Sequence, residues 1–509
     1  MSSLIQGDKM LVKDILINQK NNNKIAIECG DNAISYKEIF NLVEMNCKCL
    51  SYMENQPKNI GIYLPNSIEY CIGYFTISLL DRVIVPIEIQ AKHLQIENMI
   101  EYCELRLIIT NSQYKTKLKN LLAGSSYKVT IFNLDDKTLE YIGKNEFVKI
   151  SKGCSEEFEE DDVAIMLHTS GTTSNPKRVM LTHENLINNI KSNIEALKLN
   201  RNDKTLICLP MFFGYCNTSQ FLTSFYLGAS IVILDSIFIP EKFLKIVETK
   251  RCTNTTCVPS MLLLLLSFKN QNKYDISTLK YLCFGGGAMP IDKLRRLLVR
   301  YPSIGFIQTY GQTEASPRIT CLMPEDSLRK LGSVGKAIPN VSVRIIDSKG
   351  EDVKIGEIGE IVVQGKNVMK GYYKRHEDTL KVKKNGWLYT GDLAKFDEEG
   401  YIYLTGRKKN VIISGGLNIY PEEIEEILMN HIKVKDVCVI SESHDLLGEV
   451  PIAKVVLSDN VQSITEYELI KYCSEHLENH KVPCKITFFK ELERTLTGKI
   501  KRSQVENIV

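Results

Sequence analysis

The chain is 509 residues long, 44% hydrophobic and 25% charged, a size and composition that call for two or more globular domains rather than a single core. Its net charge of +3 lies too near balance for a nucleic-acid or membrane-surface binder, so small molecules are the expected partners. Fifteen cysteines without a CxxC pair, no apolar run long enough to span a bilayer, and a start (MSSLIQGDKMLVKDIL) without an apolar core argue against a disulfide scaffold, a zinc site and a membrane span, and point to a reducing cytoplasm.

From Lys24 to Ile89 short apolar runs alternate with amphipathic stretches, which predicts a largely parallel sheet covered by helices on both faces. Val163 to Leu167 reads as a buried strand that ends in Thr169-Ser170-Gly171-Thr172-Thr173. A hydroxyl-rich turn after a strand suits a phosphate, because glycine lets backbone approach an anion while hydroxyls and N–H groups point at its oxygens; Lys177 adds a positive charge. A plain polar turn is the alternative. The P-loop pattern GxxxxGK[ST] fails on spacing, since Lys177 lies between Pro176 and Arg178.

Thr182 is predicted to cap a helix whose apolar residues Leu186, Ile190, Ile194 and Leu197 fall at helical spacing. Ile207 to Pro210 reads as a strand, followed by Met211-Phe212-Phe213-Gly214-Tyr215-Cys216, an apolar patch that suits either core or a pocket wall. Tyr281 to Phe284 is a further strand, running into Gly285-Gly286-Gly287-Ala288, where bare backbone can receive a flat ligand. Gln308-Thr309-Tyr310-Gly311-Gln312-Thr313-Glu314 comes next.

Gly386 to Asp392 leads into Leu393 to Phe396, the turn Asp397-Glu398-Glu399-Gly400 and Tyr401 to Leu404, a predicted hairpin whose antiparallel return brings Arg407 towards Asp392. Such a pair is either a structural salt bridge or a clamp for vicinal hydroxyls. Beyond it, Val411 to Ile413, the turn Ser414-Gly415-Gly416, a helix opening at Pro421, and strands at Val434 to Ile440 and Ala453 to Leu457 describe a small α+β unit. Arg494 to Arg502 is, on its own, a basic tail.

TSGTTSNPKRVMLTH resembles the phosphate loop of the acyl-adenylate-forming superfamily, which includes acyl-CoA synthetases, firefly-type luciferases and peptide-synthetase adenylation domains. YGQTE at 310–314, the segment ending in Asp392, and the terminal TLTGK follow in that family's order, so the resemblance covers nearly the whole chain. It implies an α/β fold with layered sheets over residues 1–406, a hinge at 407–410 with Lys409 in the hinge register, and a mobile α+β C-terminal domain over 411–509.

The implied reaction joins a carboxylate to ATP, giving acyl-AMP and pyrophosphate, before a thiol attacks the acyl carbon. Two anions about 4 Å apart repel by several kcal/mol at an effective dielectric near 20, so cationic groups are required between them. The resemblance assigns Thr169, Ser170, Gly171, Thr172, Thr173 and Lys177 to the phosphates, with Thr169 also catalytic. Gly286, Gly287, Ala288, Tyr310, Gly311 and Thr313 fall to the nucleotide, Glu314 to Mg²⁺, and Asp392 with Arg407 to the ribose. Lys499 becomes the mobile cation of adenylation, Phe212, Phe213 and Tyr215 the acyl pocket, and Gly415 and Gly416 the loop that meets a pantetheine arm.

Three positions depart from the family pattern: Ser174 and Arg178 replace loop glycines, which implies a stiffer and more positive loop, and Phe213 stands where a histidine is common. No aspartate lies in the 211–216 patch to pair with an α-ammonium group, which disfavours amino acids. The expected activity is a fatty or aryl acid–CoA ligase. The alternatives are an enzyme that loads the acyl group onto a carrier-protein phosphopantetheine, and a catalytically silent binding homologue.

Overall fold

Runs of four or five β-branched and aliphatic residues, too short for helices and bounded by turns, become the central strands, and the amphipathic stretches between them pack as helices against both faces. The computed structural model describes residues 10–53, 57–123, 125, 127–142, 162–168, 177–458, 464–494, 500–502 and 505. Among these residues the chain forms four sheets.

An eight-stranded sheet has Asn59–Ile62, Val83–Pro86 and Leu107–Thr110 at its parallel centre, with Val163–His168 beside Val83–Pro86 and Arg178–Thr182 antiparallel to Val163–His168. A nine-stranded sheet carries Ser230–Ile233, Lys204–Ile207, Asn254–Cys257, Tyr281–Phe284 and Gly305–Gly311 in parallel, and Arg318–Leu322 returns antiparallel at Gly305–Gly311. Helices Ile68–Leu79 and His183–Leu197 lie in one core with both sheets: Tyr74 and Phe75 meet Phe221 and Phe225 there at ring separations of 5.0 to 5.6 Å. Separate outer cores lie beneath Pro240–Lys250 and Ile291–Arg300 on one side and His93–Tyr102 on the other. A third, antiparallel sheet contains Trp387–Phe396 and Ile402–Arg407. A smaller C-terminal domain follows, with its own sheet and core.

Thr182 caps His183–Leu197 as predicted, its hydroxyl accepting from the Asn185 N–H at 3.1 Å while the Asn185 side chain accepts from the Thr182 N–H at 2.9 Å. Leu186, Ile190 and Leu197 are buried and Ile194 is half-buried. The strand predicted at Ile207 to Pro210 instead spans Lys204–Ile207. Asn66 is the reason: it donates to the Leu209 carbonyl at 2.8 Å and accepts from the Met211 N–H at 2.7 Å, drawing these backbone groups out of the sheet ladder. No helix among the described residues is long and apolar enough to cross a membrane.

His183 makes stability pH-dependent. Its Nδ1 accepts from the Val12 N–H at 3.1 Å, and burial pulls the imidazole from 6.5 down to about 4. Below pH 6.5 the unfolded chain takes up a proton that the native chain refuses, so stability declines until the native imidazole protonates as well. The expected loss is about 3 kcal/mol between these limits. Urea midpoints measured across this range should fall less steeply in His183→Asn than in the wild type; parallel curves would assign the acid sensitivity elsewhere.

Candidate adenylation site

Three segments distant in sequence converge at the carboxyl ends of the two large sheets. Residues 169–176, with Thr169, Ser170, Gly171, Thr172 and Thr173, lie outside the described residues. Their flanks are registered against each other, since His168 pairs with Arg178 across antiparallel strands. Lys177 closes the loop, its ammonium 4.6 Å from the Tyr372 ring centre and 3.5 Å from Asp378. The Arg178 side chain is buried, with Cys103 and Tyr102 as electrostatic neighbours.

Tyr372 links the loop to Glu314. Its two-residue strand, Gly371–Tyr372, pairs with Arg178–Thr182, and its hydroxyl donates to Glu314 Oε1 at 2.9 Å. The Glu314 carbonyl accepts from the Met369 N–H at 2.8 Å, which holds the carboxylate's backbone in place. Burial first, and the Glu314 charge second, push the Tyr372 phenol far above its ordinary range, so it stays a donor.

The second convergence surrounds Asp392. Asp392 and Arg407 are direct cross-strand partners, as the hairpin predicts, with Arg407 Nε donating to Oδ1 at 2.6 Å. Tyr310 donates to the other oxygen at 2.8 Å. Burial and the Asp392 charge hold the Tyr310 hydroxyl protonated. Burial works against the Arg407 charge, yet Asp392, with smaller help from Tyr310 and Glu314, raises its pKa on balance. Each carboxylate oxygen retains a lone pair beyond these bonds, which leaves acceptor capacity for two adjacent hydroxyls.

Gly286, Gly287 and Ala288 are exposed, while the preceding Gly285 is buried: a Cβ there would sit 2.4 Å from the Thr309 carbonyl oxygen. Gly311 is also sterically required, since its Cβ would stand 1.9 Å from the Pro317 carbonyl oxygen. The aromatic segment abuts the same place. A Cβ on Gly214 would lie 3.7 Å from Thr313 Cγ2 and 3.2 Å from Leu167, and the Tyr215 hydroxyl is 2.6 Å from Thr309 Oγ1. Phe212 and Phe213 meet at a ring separation of 4.5 Å, tilted by 43°, and are half-buried.

In the linker, Lys409 is exposed on the turn Lys408–Asn410, whose neighbours are tied down by Lys408 to Glu360 at 2.8 Å and Asn410 to Glu422 at 3.1 Å. Gly415 and Gly416 are exposed, with the Gly415 N–H donating to the Leu447 carbonyl at 2.8 Å. Lys499 lies outside the described residues. Tyr372 and Asp378 escaped the sequence reading because nothing in GYYKRHEDT marks a contact with Glu314 or Lys177.

A family model described as AMP-binding enzyme matches residues 17–373, and one described as AMP-binding enzyme C-terminal domain matches residues 423–499. The chain belongs to the AMP-binding enzyme family. Within this family, feruloyl-CoA synthase of Amycolatopsis sp is 32% identical over 481 residues, covering 94% of this chain and 95% of that protein. The YngI protein of Bacillus subtilis is 38% identical over 347 residues, and the matched part spans 63% of its length. Among solved structures, o-succinylbenzoate CoA synthetase (MenE) from Bacillus subtilis, in complex with its acyl-adenylate intermediate, superposes with a TM-score of 0.83 at 28% identity, covering 97% of each chain. The same enzyme in complex with ATP and magnesium ion also superposes with a TM-score of 0.83. This AMP-binding enzyme is therefore an AMP-forming acid–thiol ligase of the acyl-adenylate-forming superfamily.

Proposed function

We propose that the chain is an aryl acid–CoA ligase, which joins an aromatic carboxylate to AMP and then passes the acyl group to the thiol of CoA. The observation that carries the reading is the convergence of Tyr310, Asp392 and Arg407 beside Glu314, Tyr372 and Lys177, at the end of the strands that flank the hydroxyl-rich loop. Feruloyl-CoA synthase and MenE act, by name, on aromatic acids, which favours the aryl over the fatty arm of the sequence expectation.

In this reading Asp392 accepts from the ribose hydroxyls while Arg407 and Tyr310 hold its carboxylate still. Gly286, Gly287 and Ala288 present exposed backbone to the adenine opposite Tyr310. Gly311 and Thr313 flank the α-phosphate, and Lys177 places a cation where the loop ends. Phe212, Phe213 and Tyr215 receive the aryl group. No nucleophilic side chain is needed: positioning and neutralisation of charge lower the barrier.

The donor set around Glu314 suits magnesium. Glu314 Oε1 takes one hydrogen bond from Tyr372, and among the described residues no cluster of three or more His, Cys, Asp or Glu gathers as for a protein-ligated metal. That is the chemistry of a hard ion held by one carboxylate, waters and substrate phosphates. Bound there, the ion would supply Lewis-acid neutralisation of the triphosphate.

The hinge at 407–410 and rotation of residues 411–509 about Lys409 belong to the same proposal. Rotation would exchange Lys499 for the Gly415–Gly416 turn at the acyl-adenylate.

Asp392→Asn is expected to raise KM for ATP about 10–100-fold with a smaller change in kcat, the size of a hydrogen bond to a charged group. Equal KM values in steady-state pyrophosphate release would remove Asp392 from the nucleotide site. The reading as a whole is tested by a panel of aryl, fatty and amino acids scored for pyrophosphate release, then for thioester on CoA and on a purified carrier protein. Aryl acids with CoA product support it. Product on carrier alone transfers the function to the carrier-loading alternative, and no release from any acid leaves only the silent homologue.

A further inference from the structure

Glu314 and Lys177 are carried by different sheets: Glu314 follows the strand Gly305–Gly311 of the nine-stranded sheet, and Lys177 precedes Arg178–Thr182 of the eight-stranded one. A single side chain touches both. The Tyr372 hydroxyl donates to Glu314 Oε1 at 2.9 Å, and the Lys177 ammonium lies 4.6 Å from the centre of the same ring. One phenol therefore sets the spacing between the two groups.

The fold fixes this phenol from several directions. Tyr372 pairs with Val179, two residues beyond Lys177, and the next N–H, that of Tyr373, donates to the Arg178 carbonyl at 2.9 Å. The Tyr372 N–H donates to the Thr379 hydroxyl at 2.9 Å, which itself donates to the Arg375 carbonyl at 3.0 Å, so the helix His376–Val382 holds the strand as well. Gly371 permits this approach, since a Cβ there would stand 2.8 Å from Thr379 Cγ2. Met369, three residues before Tyr372, donates to the Glu314 carbonyl, so one short segment grips Glu314 by its backbone and by its carboxylate.

Packing alone does not call for the hydroxyl. Tyr372 is buried, a phenylalanine would fill nearly the same volume, and the bond to Glu314 is the one hydrogen bond that the hydroxyl makes among the described residues. A donor on one carboxylate oxygen fixes the orientation of the group and leaves the other oxygen for a ligand, which is how outer partners orient metal-binding side chains. The ring acts separately. Its electron-rich face attracts an ammonium within about 6 Å. Asp378 also approaches Lys177, at 3.5 Å, but shares its charge with Arg375 at 3.3 Å and Lys381 at 3.5 Å.

We infer that Tyr372 is a positioning residue for adenylation: its hydroxyl orients the Glu314 carboxylate, its ring face holds the Lys177 ammonium, and the phenol sets the distance at which both meet one triphosphate. The inference rests on the ligase reading, which gives Glu314 to magnesium and Lys177 to the phosphates. The two contacts are separable, because a phenylalanine keeps the ring and loses the hydroxyl.

The test is a calorimetric titration of ATP without acid or CoA, run once with magnesium and once with EDTA. In Tyr372→Phe the metal-dependent gain in ATP affinity is expected to fall about tenfold, the scale of a lost partner to a metal-binding side chain, while the affinity in EDTA changes less than about twofold. Tyr372→Leu should lose, in addition, about threefold in EDTA, the scale of one cation–π contact. In a Glu314→Gln background, Tyr372→Phe should add almost nothing to the metal-dependent loss, because the two substitutions remove one interaction. In pyrophosphate release, the magnesium concentration for half-maximal rate should rise in Tyr372→Phe by a larger factor than kcat falls. Should Tyr372→Leu fail to fold, Tyr372→Phe and the double variant still decide. A Tyr372→Phe protein with wild-type metal dependence, or a full further loss in the Glu314→Gln background, overturns the role of Tyr372 and leaves the ligase reading standing. A Glu314→Gln protein whose ATP affinity keeps its wild-type metal dependence defeats the nucleotide-site assignment on which the inference rests.

Discussion

Glu314→Gln is expected to lower acid-dependent pyrophosphate release about 10²–10³-fold, the scale on which removal of one preorganised electrostatic contact to a reacting centre is felt. The substitution is chosen because its amide oxygen can still accept from the Tyr372 hydroxyl, which now lies 2.9 Å from Oε1, and because the Glu314 backbone carbonyl keeps its bond to Met369. Only the charge is removed. The thermal midpoint should therefore stay near that of the wild type, while the magnesium concentration for half-maximal rate rises. A variant that retains wild-type activity and magnesium dependence would detach Glu314 from the triphosphate.

Lys499→Ala is expected to produce a loss of similar size, about 10²–10³-fold, confined to one half-reaction. Adenylation brings together two anions and gains most from a mobile cation; attack of a thiol on a preformed acyl-AMP does not build the same charge at phosphorus. Supplied acyl-AMP should thus be converted to thioester by Lys499→Ala at close to the wild-type rate, while the overall reaction from ATP collapses. If both half-reactions fell together, the lysine would hold the domains or the nucleotide in place and would not belong to the first transition state.

Local patterns carried much of the architecture. Thr182 announced a helix start, which Asn185 completes in the structure, and the run Tyr281–Phe284 emerged with the strand bounds that its apolar residues suggest. The approach of Arg407 to Asp392 was legible because the turn at Asp397 to Gly400 sets the return: Asp397 Oδ1 accepts from the Glu399 and Tyr401 N–H groups at 3.0 and 2.8 Å, and the pairing runs in step from Phe396 with Ile402 to Ala394 with Leu404. A one-residue shift after Ala394, which no sequence pattern announced, is what puts Arg407 rather than Gly406 opposite Asp392. The C-terminal hairpin was read too short at both inner ends. Val434–His444 continues through Ser441 to His444, where exposed polar side chains interrupt the apolar pattern, and Gly448–Leu457 begins opposite His444, so the backbone ladder runs on.

The order of the chemical parts was legible in the chain alone: a hydroxyl loop and a carboxylate and guanidinium on one hairpin by their local pattern, YGQTE and the terminal lysine by their resemblance to the family's motifs. Which distant side chains complete them emerged only in the fold. Tyr372 reaches Glu314 through a two-residue edge strand whose pairing depends on the sheet beside it, Arg178 is buried beside Cys103 and Tyr102, and Arg318 is buried with Cys283, Tyr215 and Cys321 as its electrostatic neighbours. The difference is one of range: capping and hairpin closure act over a few residues, whereas burial and pairing of a charge depend on what the folded sheets bring against it.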